Sequence, residues 1–281
     1  MSGPAPESRM EAATDPAARD GVPAAPAAIA VTRVCKQFVT PDGSVQEVLQ
    51  DISCELAQGH LTCLLGPTGC GKSTLLNLIA GFEPPTSGRI TANGHEVTGP
   101  SRERMVVFQD AGSALFGWRT VAENIEYPLK RRGIGPAAAR RATCDELLAL
   151  VHLEHDGHKF PHQLSGGGKQ RAQIARALAA DPGILLMDEP LAALDALTKL
   201  ALQREIVALV AKTRKTILYV THDIYESALI SDRVLILSKG PRSVIRHDLP
   251  NPLPKPRTLA DPAVAAFVGE LERRVVVHGQ T

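Results

Sequence analysis

The chain has 281 residues, of which 44% are hydrophobic and only 4% aromatic, so its length allows one large α/β domain or two small ones with an aliphatic core. Its 31 basic and 30 acidic residues leave a formal net charge of +1, which gives no electrostatic argument for nucleic-acid binding. The sequence contains no apolar run of the roughly 18 residues that a membrane span needs, and its five cysteines form no C-x-x-C pair, which suggests free thiols in a reducing cytoplasm.

The N-terminal part combines a low-complexity segment with strand-like runs. Residues 1–28 are rich in Ala and Pro and carry few large apolar side chains, so we expect them to be disordered. Apolar runs then alternate with turns and predict a β-rich patch. The predicted strands are 29–34, 48–55, 61–65 and a hairpin over 89–97 with its turn at Asn93-Gly94.

The middle of the chain has mainly helical patterns after one predicted strand at 105–108. Thr120 and Glu123 have the spacing of a capping box, which predicts a helix that begins there. Ala- and Leu-rich runs at helical spacing predict further helices at 136–153 and 170–180. We therefore expect a helical subdomain over about residues 110–181.

Strands and helices alternate in the last third of the chain. The predicted strands are 184–187, 216–220 and 234–237, and the predicted helices are 194–212 and 224–230. Continuous apolar strands between helices indicate a parallel sheet covered on both faces. Four prolines between 250 and 256 indicate an extended linker, which a short helix over 263–273 follows, so we expect residues 251–281 to form a tail outside the main domain.

A phosphate-binding loop is the most specific motif. Residues 66–73 read Gly-Pro-Thr-Gly-Cys-Gly-Lys-Ser, the pattern G-x-x-x-x-G-K-[ST], between an apolar strand and a helix-like run. Backbone N–H groups of such a loop bind phosphates, Lys72 can reach the β- and γ-phosphates, and Ser73 can bind Mg²⁺. The sequence thus predicts a nucleoside triphosphate site formed by Gly66, Pro67, Thr68, Gly69, Cys70, Gly71, Lys72, Ser73 and Thr74.

Two carboxylates follow the apolar strand at 184–187. The carboxyl ends of parallel strands are where α/β proteins bind ligands, so Asp188 suits Mg²⁺ and Glu189 suits a general base that polarises the attacking water. A solvated acidic turn is the alternative for this pair alone. The phosphate loop upstream favours the catalytic interpretation.

A second glycine-rich segment, residues 164–171, reads Leu-Ser-Gly-Gly-Gly-Lys-Gln-Arg and leads into a helix. Ser165 and the backbone N–H groups at a helix start form a second candidate anion site. Glycine-rich loops also cap many ordinary helices, so this segment alone leaves both interpretations open.

Taken together, these motifs resemble the ATP-hydrolysing subunit of ABC (ATP-binding cassette) transporters over roughly residues 29–250. The matching features, in order, are the phosphate loop, Gln109, the Leu-Ser-Gly-Gly signature at 164–167, Asp188-Glu189, Ala193-Leu194-Asp195 and His222. The stretches 107–109, 115–121, 221–228 and 237–241 are similar to nitrate, sulfonate and taurine importers. The resemblance implies a P-loop NTPase cassette with a parallel core sheet, an antiparallel β subdomain and a helical subdomain.

The resemblance also implies a head-to-tail dimer. Each ATP would lie between the phosphate loop of one subunit and Ser165, Gly166 and Gly167 of the other, with Asp195 along the dimer seam. Each cassette would thus carry two half-sites.

The remaining site residues would act within one subunit. Gln109 would contact Mg²⁺ or water and connect the site to a membrane partner, and His222 would bind the γ-phosphate and orient water. Phe38 is the candidate for stacking on adenine, where the family usually has Tyr, and an ordinary core or loop Phe is the alternative.

The implied function is import. ATP and Mg²⁺ would be the cofactors. A second copy of the chain, transmembrane permease subunits and, indirectly, a solute-binding protein would be the partners, without nucleic acid. The chain would sit at the cytoplasmic face of the inner membrane through the permease and drive uptake of nitrate, sulfonate, taurine or a related solute. A soluble ABC ATPase acting on nucleic acid or ribosomes, or a nucleotide-dependent scaffold, are the alternatives, and intact Glu189 and His222 argue against a scaffold.

A few residues depart from the family pattern or stand outside it. Gly168 makes three consecutive glycines, which weakens a helix start by about 1 kcal/mol. Trp118 is either a core residue or part of the groove that receives the permease. We favour the position in the groove. Cys70 lies at a helix N-terminus that favours thiolate, and the four histidines between 152 and 162 indicate a solvated loop rather than a metal site.

Overall fold

The computed structural model describes residues 27–276 with the exception of Ala193. The strands of this part are β1 Ala27–Val39, β2 Val45–Ala57, β3 Leu61–Leu65, β4 Ser87–Ala92, β5 His95–Glu96, β6 Arg104–Val107, β7 Ile184–Asp188, β8 Thr216–Thr221, β9 Arg233–Leu237 and β10 Ile245–Pro250. Its α-helices are α1 Lys72–Ala80, α2 Ala111–Ala114, α3 Val121–Arg131, α4 Ala137–Leu150, α5 Gly166–Ala179, α6 Ala196–Thr213, α7 Ile224–Ile230 and α8 Pro262–Val276.

The apolar strands pair into a six-stranded sheet in the order β10-β9-β3-β8-β7-β6. All neighbours from β9 to β6 are parallel, and β10 adds an antiparallel edge that the sequence analysis did not predict. Every residue of β3 and β8 is buried, as expected for strands covered on both faces. This sheet confirms the predicted parallel core.

A second, antiparallel sheet has the order β2-β1-β4-β5. Register shifts between Val31 and Val34 let β1 continue as one long strand past the predicted end at residue 34. The same strand begins at Ala27, so the predicted disordered extension of residues 1–28 is two residues too long at its C-terminal end, and residues 1–26 lie outside the described residues. The predicted hairpin is present as β4, a turn at Asn93 and β5.

Helices α2 to α5 occupy the segment predicted to be helical. The capping box that begins α3 is confirmed, because the Thr120 hydroxyl accepts from the Glu123 N–H at 3.2 Å and the Glu123 carboxylate accepts from the Thr120 N–H at 2.8 Å. The predicted helix 136–153 is too long, since α4 ends at Leu150 and His152 has a φ of 54°. The predicted helix 170–180 begins too late, because Ser165 already caps α5.

Apolar residues form two buried clusters, one on each face of the core sheet. Leu61, Cys63 and Leu65 of β3 face the helical side, while Leu64 faces α1 and the antiparallel sheet. Within residues 27–276, none of the helices is both long enough and apolar enough to cross a bilayer.

Candidate functional site

The predicted catalytic residues gather at one edge of the core sheet. Because β3, β8, β7 and β6 are parallel neighbours, their carboxyl ends meet there. Gly66 follows β3, His222 follows β8, Asp188 ends β7 with Glu189 directly after it, and Gln109 lies exposed in the loop after β6. The topology thus brings four separate sequence motifs to one place.

The phosphate loop is held in shape by its glycines. Gly69 and Gly71 have φ values of 79° and 93°, in the left-handed region. A Cβ on Gly71 would also lie 2.8 Å from Leu49 Cδ2, so any side chain would collide with the core under the loop. Since Gly71 precedes α1 and has no side chain to cap it, the first N–H groups of that helix are left to receive an anion.

Lys72 is a buried cation that is 5% exposed. Its Nζ donates to the carbonyl oxygens of Gly66 at 2.8 Å and Pro67 at 3.0 Å, and it lies 3.8 Å from Glu189 Oε1. Burying an ammonium is costly unless charged groups compensate for it. Phosphate oxygens are suitable partners for this position.

Glu189 adopts an unusual backbone conformation that sequence patterns do not reveal. Its φ is 42°, and its N–H donates to the Val220 carbonyl at 3.0 Å, so β8 fixes the residue where β7 ends. Its Oε2 lies 3.1 Å from His222 Nδ1, while its Oε1 faces Lys72. Strained backbones of this kind concentrate at functional sites. The arrangement places a carboxylate between an imidazole and an ammonium, where it can accept a proton from water.

Ser73 and Asp188 form the candidate metal site. The Ser73 hydroxyl donates to Asp188 Oδ1 at 3.1 Å. Burial raises the pKa of Asp188 and outweighs the hydrogen bond from Ser73, so a nearby cation would favour the carboxylate. A hydroxyl and a carboxylate are hard oxygen donors of the kind that Mg²⁺ prefers, so these residues fit that ion.

The second glycine-rich segment lies at the start of α5 and packs on the start of α6. The Ser165 hydroxyl accepts from the Gly168 N–H at 3.1 Å and caps α5 despite the three glycines. A Cβ on Gly167 would lie 2.6 Å from Thr198 Cγ2 of α6, a helix that Asp195 caps through the Thr198 N–H at 3.1 Å. We call the exposed residues of this region the signature surface: Ser165, Gly166, Asp195 and Leu197.

Phe38 lies near the end of β1 and is 36% exposed, so it is not an ordinary core residue. The Lys36 ammonium lies 4.7 Å from its ring centroid. A cleft of about 610 Å³ opens between Val48 of β2 and Gly69 of the phosphate loop. The cleft is large enough for a nucleoside.

Trp118 is 76% exposed, so the alternative of a core residue is wrong. Its ring lies 5.4 Å from that of Phe116, which in turn lies 5.2 Å from that of Tyr127. We call Phe116, Trp118 and Tyr127 the aromatic surface. The guanidinium of Arg176 lies 4.1 Å from the Phe116 centroid, a cation–π contact that helps to hold this ring in place.

Cys70 does not have the expected thiolate character. Its side chain is buried, and desolvation raises its pKa more than the charge of Lys72 lowers it. The expectation from the helix N-terminus alone is therefore wrong.

Within the described residues, no group of three or more His, Cys, Asp or Glu side chains is arranged to hold a metal ion, the histidines between 152 and 162 included.

The sequence matches the family model for ABC transporters over residues 49–192, about half of the chain. The chain belongs to this family. It is 43% identical over 213 residues to the taurine import ATP-binding protein TauB of Roseobacter denitrificans, and the match covers 76% of this chain and 78% of that protein. It is also 42% identical over 249 residues to the nitrate import ATP-binding protein NrtC of Synechocystis sp., a match covering 86% of this chain but only 37% of that longer relative.

Solved structures agree with this assignment. The ATP-binding cassette MJ0796, in a dimeric post-hydrolysis state bound to ADP and Pi, superposes with a TM-score of 0.70 at 29% identity, over 79% of this chain and 98% of that one. The predicted fold, a P-loop NTPase cassette, is confirmed, and the chain is an ATP-binding ATPase of the ABC family.

Proposed function

We propose that the chain is the ATPase subunit of an importer and that it works as a head-to-tail dimer. The main support is that the candidate phosphate-binding groups lie in two separate places. The phosphate loop, Glu189 and His222 share one edge of the core sheet, whereas Ser165 caps α5 on the exposed signature surface. A second anion-binding helix start has a clear use if it faces the γ-phosphate of another subunit. The dimeric state of the MJ0796 cassette supports this arrangement.

Within each site, the chain's own residues would divide the work of phosphoryl transfer to water. Lys72 would exchange the Gly66 and Pro67 carbonyls for phosphate oxygens and stabilise charge on the leaving group. Glu189 would take the proton of the attacking water, and His222 would bind the γ-phosphate and hold that water in line. Phe38 would stack on the adenine ring.

Mg²⁺ would be held by Ser73 and Asp188, with Gln109 approaching from the next strand. When bound, the ion supplies charge neutralisation at the β- and γ-phosphates. Gln109 would also connect the site to the membrane partner, because its loop leads towards α2 and the aromatic surface.

The aromatic surface would dock a transmembrane permease at the cytoplasmic face of the inner membrane. Exposed aromatic side chains of this size are typical anchors of protein interfaces. The names of the relatives favour a small solute such as taurine or nitrate. A separate solute-binding protein would deliver it to the permease.

Two measurements test the proposal. At concentrations where the chain is mainly monomeric, the purified chain should release phosphate from ATP at a rate that rises with the square of its concentration and disappears with EDTA. The chain purified from detergent-solubilised membranes of its own cells should retain an integral membrane protein. A rate linear in concentration where the chain is shown to be monomeric, or activity that appears only with DNA, RNA or ribosomes and without a membrane partner, would contradict it.

A further inference from the structure

A buried carboxylate lies four residues after His222. Glu226 is 3% exposed and accepts hydrogen bonds on both oxygens, from the Tyr219 hydroxyl at 2.7 Å and from the Thr221 hydroxyl at 2.5 Å. Lys199 of α6 lies 3.9 Å from the same carboxylate. Buried charges are costly unless they are paired in this way, so the network has a strongly preferred geometry.

The same network fixes both chain neighbours of His222. The Asp223 N–H donates to the Thr221 hydroxyl oxygen at 3.0 Å, and the Asp223 carboxylate accepts from the Glu226 N–H at 3.1 Å. Its other oxygen accepts from Lys199 Nζ at 2.6 Å. The backbone that carries His222 is thus tied to α6 on one side and to α7 on the other.

Lys199 remains charged in this setting. Burial disfavours its ammonium, but the hydrogen bond to Asp223 and the charges of Glu226 and Asp223 outweigh that cost and raise the pKa of Lys199. Lys199 also lies in the first turn of α6, where its N–H donates to the Asp195 carbonyl at 2.9 Å. A continuous path of bonds therefore runs from Asp195, on the signature surface, to the residues beside His222.

We propose that Lys199 and Thr221 are positioning residues for His222, which link its placement to the start of α6 and thus to the signature surface. This inference rests on the proposed role of His222 in hydrolysis. A network that only stabilised the fold would change the free energy of unfolding and leave turnover per folded molecule unaltered.

Two pairs of variants test the inference with matched controls. Lys199→Met removes the ammonium, and Lys212→Met makes the same change at an exposed position near the other end of α6. Thr221→Val removes a buried hydroxyl that accepts a backbone N–H, and Thr216→Val does the same at the other end of β8, where the hydroxyl accepts from the Gly59 N–H at 3.0 Å.

Lys199→Met and Thr221→Val should each lower kcat by about tenfold or more, because small displacements of a positioned group are costly. KM for ATP should stay within about twofold, since the phosphate loop is unchanged. Lys199→Arg should restore most of the turnover, and both controls should keep it. If Lys199→Met does not fold, Thr221→Val carries the test, because valine matches threonine in size.

A double-mutant cycle separates positioning from an independent effect. In the His222→Ala background, adding Lys199→Met should cause no further loss of residual single-turnover hydrolysis. If the losses of hydrolysis from His222→Ala and Lys199→Met multiply, or if the control variants lose as much turnover, this inference is wrong while the proposed function still stands. Full turnover in His222→Ala would instead refute the proposed role of His222 and this inference with it.

Discussion

At the scale of single residues, contacts with the core sheet fix the backbone conformation of Glu189. The left-handed backbone at φ 42° is unfavourable for a residue with a side chain, and the bond to the Val220 carbonyl holds it in place. The resulting direction of the carboxylate brings it to 3.1 Å from His222 Nδ1 and 3.8 Å from Lys72 Nζ. Both partners orient the base that we propose for hydrolysis.

Glu189→Gln keeps the size of this side chain and removes its basicity. Hydrolysis should fall at least about 10²-fold, because the attacking water loses its proton acceptor. ATP should still bind and should now hold the dimer together, which size-exclusion chromatography with and without ATP can detect. Near-normal turnover in this variant would show that another group is the base.

Asp188→Asn tests the electrostatic cost of the metal site. Burial raises the pKa of Asp188 above its ordinary value of 3.8. The ionised carboxylate therefore lowers the free energy of unfolding at pH values above 3.8, whereas at lower pH the group is protonated and has no such effect. The variant should therefore raise the thermal midpoint of the ligand-free chain at pH 7 and weaken Mg²⁺-dependent hydrolysis. A lower midpoint at pH 7 would contradict this assignment of the pKa.

At the scale of elements, the contact between α5 and α6 shapes the signature surface. Gly167→Ala would place a Cβ 2.6 Å from Thr198 Cγ2, which should cost about 1–3 kcal/mol of the free energy of unfolding through overpacking. The greater helix propensity of alanine offsets up to about 1 kcal/mol of that cost.

Adding Thr198→Ser removes the methyl group and should recover most of the lost free energy in urea denaturation. Gly269→Ala in α8 is the control, because its nearest neighbour would be an Arg273 side-chain atom at 3.7 Å. If Gly167→Ala is as stable as the control, the contact does not constrain the packing of α5 on α6.

Sequence patterns located most elements because apolar periodicity and caps act locally. The start of α5 was missed because three glycines have low helix propensity, while the Ser165 cap and packing on Thr198 decide the outcome. Strand β10 was missed because its residues 245–250 alternate only partly and end in proline. Pairing with the preceding strand β9 makes it a strand, and this pairing is not encoded in the pattern of residues 245–250 alone.

The meeting of the candidate site residues could be predicted where motifs and topology coincide. The phosphate loop, Asp188 and Glu189 each end or follow an apolar strand, so their meeting at one edge follows from a parallel sheet. The conformation of Glu189 and the raised pKa of Cys70 depend on tertiary contacts and burial, which no local pattern encodes. The domain limits near residues 29 and 250 and the helical subdomain at about 110–181 stay predictions.

At the scale of the whole molecule, the signature surface and the aromatic surface are the two places to which we assign separate roles. Trp118→Ala should leave the basal ATPase rate and the thermal midpoint of the isolated chain unchanged, because the side chain is 76% exposed. It should weaken assembly with the permease by about 2 kcal/mol, as aromatic anchors do, in a binding titration with the solubilised permease. A drop in the midpoint comparable to that of a core variant would argue against a docking role.

The central claim, a composite site shared by two chains, is tested most directly by mixing two inactive variants. Lys72→Ala disables the phosphate loop, and Ser165→Arg places a bulky cation on the signature surface while leaving ATP binding by the monomer intact. In a mixed dimer one site carries both defects, whereas the other pairs an intact phosphate loop with an intact Ser165. We predict that the mixture hydrolyses ATP although neither variant does so alone. A mixture as inactive as its components, with an ATP affinity of Ser165→Arg as low as that of Lys72→Ala, would contradict the head-to-tail site.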